Sequence, residues 1–376
     1  MDCAGVTGPT ALVIGGTGPT GPFVVEGLAR RGYAVTILHG GQHEYEFAVP
    51  GIKHIHADPH FRETLDAGLA EGNATWDLVV AQYGRLRVIS EALAGRAGRV
   101  VAIGGATGIF APADDERWGA IGRPSLFPDS STIYVRDAGP DGRHKLGLRM
   151  VQAMEALFEH HPDATYVGYP VNYGPRTPGP YDWSTVRRLL DGRRTFAIAD
   201  GGLKLESRVF TENAAAAVLL VVDRPEQAAG RRYCVTDSCA FTMRQRIEFV
   251  ARHLGAELEL VDMPYPVAWP CHPLWRHERE HRLAQSTEIR AELGYQDPVA
   301  PEVALARTVD WLVANRPEPG GEVERQVADP FDYAREDELI ERWRRGGPDA
   351  TADPEPPLPE QRHQYRHPKR PGEAWA

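Results

Sequence analysis

The first 170 residues alternate between two hydrophobic periods. Short, largely apolar runs recur at Leu12–Ile14, Ala34–Leu38, Ile52–His56, Asp77–Val80, Arg99–Ile103 and Ala164–Tyr169. Between them lie stretches of helical periodicity, Phe23–Arg31, Phe61–Glu71, Arg85–Ala97 and Lys145–His160. Strands that are apolar throughout, rather than every second residue, are buried on both faces. Repeated strand–helix units predict an α/β fold, a doubly wound parallel sheet with helices on either side. The helix Lys145–His160 carries apolar residues on more than one stripe, which predicts burial on two sides, between sheet and lobe or in a dimer interface.

The pattern breaks over residues 111–142, which read as a long loop beside the strand ends, where such folds place ligands. Beyond Gly174, Pro175, Pro178 and Pro180 lead into a helix at Trp183–Leu190. Arg208–Val222 combines a strand-like start with an alanine-rich helix, followed by a strand at Arg232–Val235 and helices at Met243–Leu254 and Val303–Ala314. We expect a dinucleotide-binding domain over 10–173 with a returning segment 205–238, and a smaller C-terminal substrate lobe from 174–204 and 239–316. Residues 317–376, rich in proline, glycine and charge, read as an arm with one helix at Tyr333–Trp343.

The first strand runs into Gly15-Gly16-Thr17-Gly18-Pro19-Thr20-Gly21, and a helix follows. Three glycines spaced by three between a strand and a helix suit a dinucleotide diphosphate in a Rossmann-like fold. Gly15 would make the tight turn, Gly18 would let the main chain approach the phosphates, and Gly21 would let helix and strand pack closely. Thr17, Pro19 and Thr20 complete the loop, and the helix N-terminus offers N–H groups and a partial positive charge.

Charge and composition narrow the partners. A net charge of −10 argues against nucleic acid. No apolar run approaches the roughly 20 residues that span a bilayer, and Met1–Thr10 lacks the features of a signal peptide. Cys3, Cys234, Cys239 and Cys271 form no Cys-x-x-Cys pair, so the expected compartment is a reducing cytoplasm. The expected partner is a small-molecule substrate, with neither nucleic acid nor membrane.

These features, with Asn172-Tyr173-Gly174-Pro175-Arg176, Arg208-Val209-Phe210-Thr211-Glu212-Asn213-Ala214 and Leu293-Gly294-Tyr295, resemble the extended short-chain dehydrogenase/reductase superfamily in its NAD-dependent epimerase/dehydratase branch, over roughly residues 10–315. The resemblance implies that Asp58 touches the adenine amino group. It implies that Lys145 holds the nicotinamide ribose, and that Tyr173 and Arg208 lie on the substrate side. It further implies a homodimer through Arg85–Ala97 and Lys145–His160. The family's tyrosine, four residues before the lysine, is replaced by Asp141, and its serine site after the fifth strand reads Gly104-Gly105-Ala106-Thr107. An aspartate, with an ordinary pKa of about 3.9, does not substitute simply for a phenol of about 10. Thr107 with Tyr134 or His144 are the candidates to handle the oxygen and proton, with Tyr173 a further candidate along the chain. Three functions stay open. The first is an NAD(P)-dependent oxidoreductase or epimerase acting on a small polar substrate. The others are a non-redox lyase, cyclase or isomerase on the same fold, and a dinucleotide-sensing regulatory protein.

The second strand ends Leu38-His39-Gly40, with neither the carboxylate that binds the NAD ribose nor an arginine. His39 could contact a 2′-phosphate, a lean towards NADP. His277-Glu278-Arg279-Glu280-His281 matches a zinc-helix spacing, but its charged interior positions read as a solvated or substrate-facing segment. His54-x-His56 with His60 has a one-face strand spacing that could bind metal, but reads as flanking the adenine region or solvent. Pro270 and Pro273 keep the neighbours Cys271 and His272 extended and pointing apart. No metal is expected.

Overall fold

The computed structural model describes residues 8–41, 45–82, 85–106, 126–127 (backbone), 145–268, 271, 281–327, 329–346, 369–371 and 373. Its first half comprises β1 (Thr10–Ile14), α1 (Gly21–Arg30), β2 (Ala34–His39), β3 (Lys53–His56), α2 (Arg62–Glu71), β4 (Leu78–Ala81), α3 (Leu86–Ala92), β5 (Val100–Gly105), β6 (Leu126–Phe127), α4 (Lys145–His160), β7 (Thr165–Tyr169) and β8 (Val171–Tyr173). The second half comprises α5 (Trp183–Leu190), β9 (Thr195–Ala199), β10 (Arg208–Phe210), α6 (Thr211–Asp223), α7 (Pro225–Ala228), β11 (Arg232–Cys234), α8 (Met243–His253), β12 (Glu259–Met263), α9 (Tyr265–Ala268), β13 (Leu283–Ala284), α10 (Thr287–Leu293), α11 (Pro301–Ala314), α12 (Glu322–Val327) and α13 (Tyr333–Gly346).

Seven strands form one parallel sheet in the order β11-β7-β5-β4-β1-β2-β3. Successive residues of β1 serve opposite faces. Ala11 and Val13 pack with Val24 and Leu28 of α1 and Val218 of α6. Leu12 and Ile14 join Leu65, Ile89 and Leu157 from α2, α3 and α4. Both faces are covered, which is why the strands carry no polar alternation. The chain builds outwards from β1 to β3, then returns beside β1 as β4 and builds the other way. The loops leaving β1 and β4 therefore diverge, opening the crevice where doubly wound folds bind ligands.

The lobe has its own core, including Trp183, Val186, Phe196, Ile247, Leu305 and Val309. Short parallel pairs, β8 with β10 and β9 with β12, stiffen it. α12 and α13 lie on this lobe. Val327 joins that core, and Ile340 packs with Ala197, Met263 and Cys271. The helix expected at Tyr333–Trp343 is present as α13, and residues 322–346 of the expected arm pack on the lobe as two helices. Their charges are not all solvated, because Glu324 and Glu336 are buried. Among the described residues, no helix is long and apolar enough to cross a membrane.

Candidate functional site

The turn after β1 places Gly15 at φ 100° and Gly16 at φ 90°, a region open to glycine at little cost. Gly15 N–H donates to the Leu38 carbonyl at 2.9 Å, tying the turn to β2. A Cβ added at Gly21 would lie 2.3 Å from the Gly16 carbonyl carbon and oxygen. The close approach that needs Gly21 is thus to the loop backbone, a correction to the expected contact with the strand. Gly18 is exposed, and a Cβ there would meet nothing within 4 Å. This is the open side of the turn, at the N-terminus of α1, where an anion meets N–H groups and the positive end of the helix dipole. Thr17 is half-buried beside it, whereas Pro19 and Thr20 are buried. The Thr20 hydroxyl donates to Gln82 Oε1 at 3.1 Å and lies 3.4 Å from the Tyr169 hydroxyl, so it turns into the floor of the crevice. Gly16, Gln82 and Tyr169 were not singled out from sequence. The doubled glycine and the strand-end positions of the other two were the available signals.

His39 closes β2 and is buried, and its Nε2 lies 3.2 Å from His54 Nδ1. Asp58 follows β3. Its carboxylate accepts from the His60 N–H at 2.9 Å and pairs with His60 Nδ1 at 2.7 Å. Burial pushes the His60 pKa down despite Asp58. Lys145 opens α4 with an exposed side chain. At the end of β5, a Cβ on Gly105 would fall 2.2 Å from the Met150 methyl. The side of Gly105 that a hydroxyl residue would occupy is therefore filled by a flexible thioether one turn along α4.

On the lobe side, Tyr173 is buried and donates to Asp237 Oδ2 at 2.7 Å. Asp237 also accepts from Phe210 N–H and Asn213 Nδ2, so it joins β8, β10 and α6. Burial raises the Tyr173 pKa strongly. Its hydroxyl is committed to the lobe core, and the assignment of Tyr173 to the substrate side is corrected to a structural brace. Arg208 is 5% exposed and pairs with Glu206 at 3.2 Å, 3.9 Å from Asp182. Arg246 forks onto Asp182, with contacts of 2.7–3.1 Å. Arg208 therefore sits in a buried cluster whose two guanidinium charges are matched by two carboxylates, rather than standing as a bare cation.

Burial opposes ionisation of Asp182, yet Arg246 and Arg208 outweigh it and hold the carboxyl below its ordinary pKa. A depressed carboxyl contributes stability above its unfolded pKa of about 3.9 and loses it as pH falls through the folded value. Asp182→Asn should therefore cost about 3 kcal/mol at neutral pH, the scale for removing one partner of a buried pair. The deficit should start to shrink below about pH 4, where the carboxyl of the unfolded chain takes a proton, and should close only once pH has fallen through the lower pKa of the folded carboxyl. Urea melts of both proteins at neutral and acid pH measure this, and a gap that stays constant with pH would count against the pairing.

Thr107, Tyr134, Asp141, His144 and the 277–280 stretch lie outside the described residues. His281 accepts from Leu205 N–H at 3.0 Å, so this end of the zinc-like spacing faces the lobe backbone. Cys271 is buried and its pKa is pushed up to about 12 by burial, which keeps it a thiol.

No family model matches the chain. An uncharacterised protein, y4nL of Sinorhizobium fredii, is 25% identical over 196 residues, 46% of this chain and 54% of that protein. The chain thus spans about half the length of the curated relative it matches. Solved structures match more broadly. A UDP-glucose 4-epimerase from Thermotoga maritima aligns with TM-score 0.62 and 17% identity, covering 81% of this chain and 99% of that one. The dTDP-glucose 4,6-dehydratase DesIV from Streptomyces venezuelae, solved with NAD bound, gives 0.60 and 20%, covering 82% and 98%. WbmH from Bordetella bronchiseptica, in complex with NAD+, gives 0.60 and 13%, covering 81% and 98%. The chain has the fold of these proteins. The α/β architecture expected from the strand–helix alternation, a parallel sheet flanked by helices, is the one observed.

Proposed function

We propose that the chain is an NAD(P)-dependent member of the epimerase/dehydratase branch of the short-chain dehydrogenase/reductase superfamily, acting on a small polar organic substrate by carbonyl/alcohol redox. One observation carries this reading: the Gly15–Gly21 turn, left-handed at its start and open at Gly18, stands at the divergence of β1 and β4. Such a cradle fits a dinucleotide diphosphate. The main-chain amides of the turn would hold the diphosphate, and the Lys145 ammonium would hold the nicotinamide ribose. When bound, the nicotinamide supplies or accepts a hydride. The absence of a carboxylate at the end of β2 removes a repulsion against a 2′-phosphate and supports NADP over NAD, without requiring His39 itself to bind that phosphate. A cytoplasmic homodimer through α3 and α4 belongs to the same reading, supported by the 42% exposure of Leu146 on α4.

A second reading, non-redox turnover on a retained dinucleotide fold, is favoured by Asp141 at the tyrosine position and by Met150 filling the side of Gly105. Titration of the purified chain with NADH and NADPH, followed by nicotinamide fluorescence, tests the proposal. Saturable binding is expected, tighter for NADPH, with absorbance change during turnover of a carbonyl or alcohol. Binding without absorbance change during substrate loss would shift the assignment to the second reading. No binding of either nucleotide would defeat both.

A further inference from the structure

We propose that His39, His54 and His56 form a binding site for a divalent transition-metal ion of the zinc type. The parallel register of β2 and β3 sets Ile37 beside His54 and His39 beside His56. Side chains two residues apart on a strand share a face, so all three imidazoles gather on one side of the sheet edge. One ring nitrogen from each lies within 4.8 Å of those from the other two. His39 Nε2 and His54 Nδ1 are 3.2 Å apart. Zinc–nitrogen bonds of about 2.0–2.1 Å put two ligands of a tetrahedral ion about 3.3 Å apart, so this pair already spans one edge of the coordination shell. The ring centroid of His56 is 4.8 Å from that of His39, and His54 and His56 are exposed and able to adjust about the buried His39. Three neutral imidazoles with the fourth position towards solvent suit zinc, nickel or copper rather than a hard cation.

The hydrogen bonds specify what the ion displaces. His39 Nδ1 accepts from Gly41 N–H at 3.3 Å, so Nε2 carries the ring hydrogen and donates it to His54 Nδ1. Capture of the ion at Nε2 moves that proton to Nδ1, and the Gly41 N–H turns away. The Gly40-Gly41 turn, with Gly41 at φ 72°, is suited to such a pivot. A 2′-phosphate is the competing occupant. Two donors sharing one phosphate oxygen at about 2.8 Å each would stand wider apart than this pair, and two imidazolium rings so close would repel. His60, grouped with His54 and His56 in the sequence, does not join them because its Nδ1 pairs with Asp58.

The test uses the full chain, stripped of metal with a chelator and dialysed, without any dinucleotide. Calorimetric titration with zinc should show one equivalent bound per chain. In His54→Ala/His56→Ala, two exposed substitutions that spare the fold, affinity for that equivalent should fall on the order of a hundredfold or more. Cobalt(II) in place of zinc should give a visible absorption band in the wild type that the double variant lacks. Unchanged zinc affinity in the variant, or no zinc uptake by the wild type, would overturn the site. In a separate titration, loss of NADPH affinity by the double variant, together with no zinc uptake by the wild type, would likewise overturn it and give the imidazoles to the phosphate. Because the metal is titrated alone, failure here leaves the dinucleotide reading untouched.

Discussion

Gly18→Asp is expected to abolish dinucleotide binding while leaving the protein folded. The substitution is sterically free, since an added Cβ meets nothing within 4 Å, and Gly18 is not among the glycines held at positive φ. An exposed substitution of this kind ordinarily changes stability by no more than about 0.5 kcal/mol. The new carboxylate would project into the open side of the turn, where the diphosphate is proposed to lie. Two unit charges about 4 Å apart at an effective dielectric of about 20 interact by about 4 kcal/mol, which weakens affinity by close to a thousandfold. Gly18→Ala, which adds bulk without charge, should weaken it far less. Fluorescence titration with NADH and NADPH, alongside a thermal melt, reads both effects. A folded Gly18→Asp protein that binds as the wild type does would remove the diphosphate from this turn.

Arg188→Ala should cost about 3–5 kcal/mol, the range for leaving buried charges uncompensated. Arg188 is 1% exposed at the end of α5. Its guanidinium reaches Asp329 at 2.5 and 3.2 Å, Glu336 at 3.4 Å and the Cys271 carbonyl at 3.2 Å. Burial works against its charge, but Asp329 and Glu336 outweigh this and raise its pKa. Truncation leaves Asp329 without a guanidinium partner, leaves Glu336 to Arg193 and the Ala197 N–H, and opens a void among Phe196, Phe331 and Tyr333, whose rings lie around the guanidinium. Chemical denaturation measures the loss. The half-exposed neighbour Arg187, bound to Glu324 at 2.5 Å, should matter less when cut to alanine. If Arg188→Ala loses no more than Arg187→Ala, the cluster does not anchor α13.

That cluster also explains where the sequence misled. The βα alternation was legible because a sheet covered on both faces writes itself as runs such as Leu12-Val13-Ile14, and the helix Lys145–His160 emerged with its observed bounds. The glycine turn was legible because its backbone conformation admits few other residues. The last turns of the lobe were not. Glu324 and Glu336 look like solvated charges in sequence, and only the fold brings Trp183, Arg187, Arg188 and Arg193 to meet them. β12, half exposed over Glu259–Met263, lacks the apolar continuity that marks the central strands. For the site, the strand-end positions of Gly15–Gly21, His39 and Asp58 could be counted along the chain. The commitment of Tyr173 to Asp237 could not, since those residues are joined only by tertiary packing.

β11 comes late. The sheet is flanked on one side by a strand at Arg232–Cys234, whereas its neighbour β7 is complete at Tyr169. Some sixty residues of lobe and α6 must emerge from the ribosome before that border is paired. Until then Thr165–Tyr169 presents an unpaired row of backbone donors and acceptors, the kind of template that invites association between nascent chains. During synthesis the vulnerable moment falls between the appearance of β7 and that of β11, and a chaperone that shields the β7 border through that interval would raise the yield of folded protein.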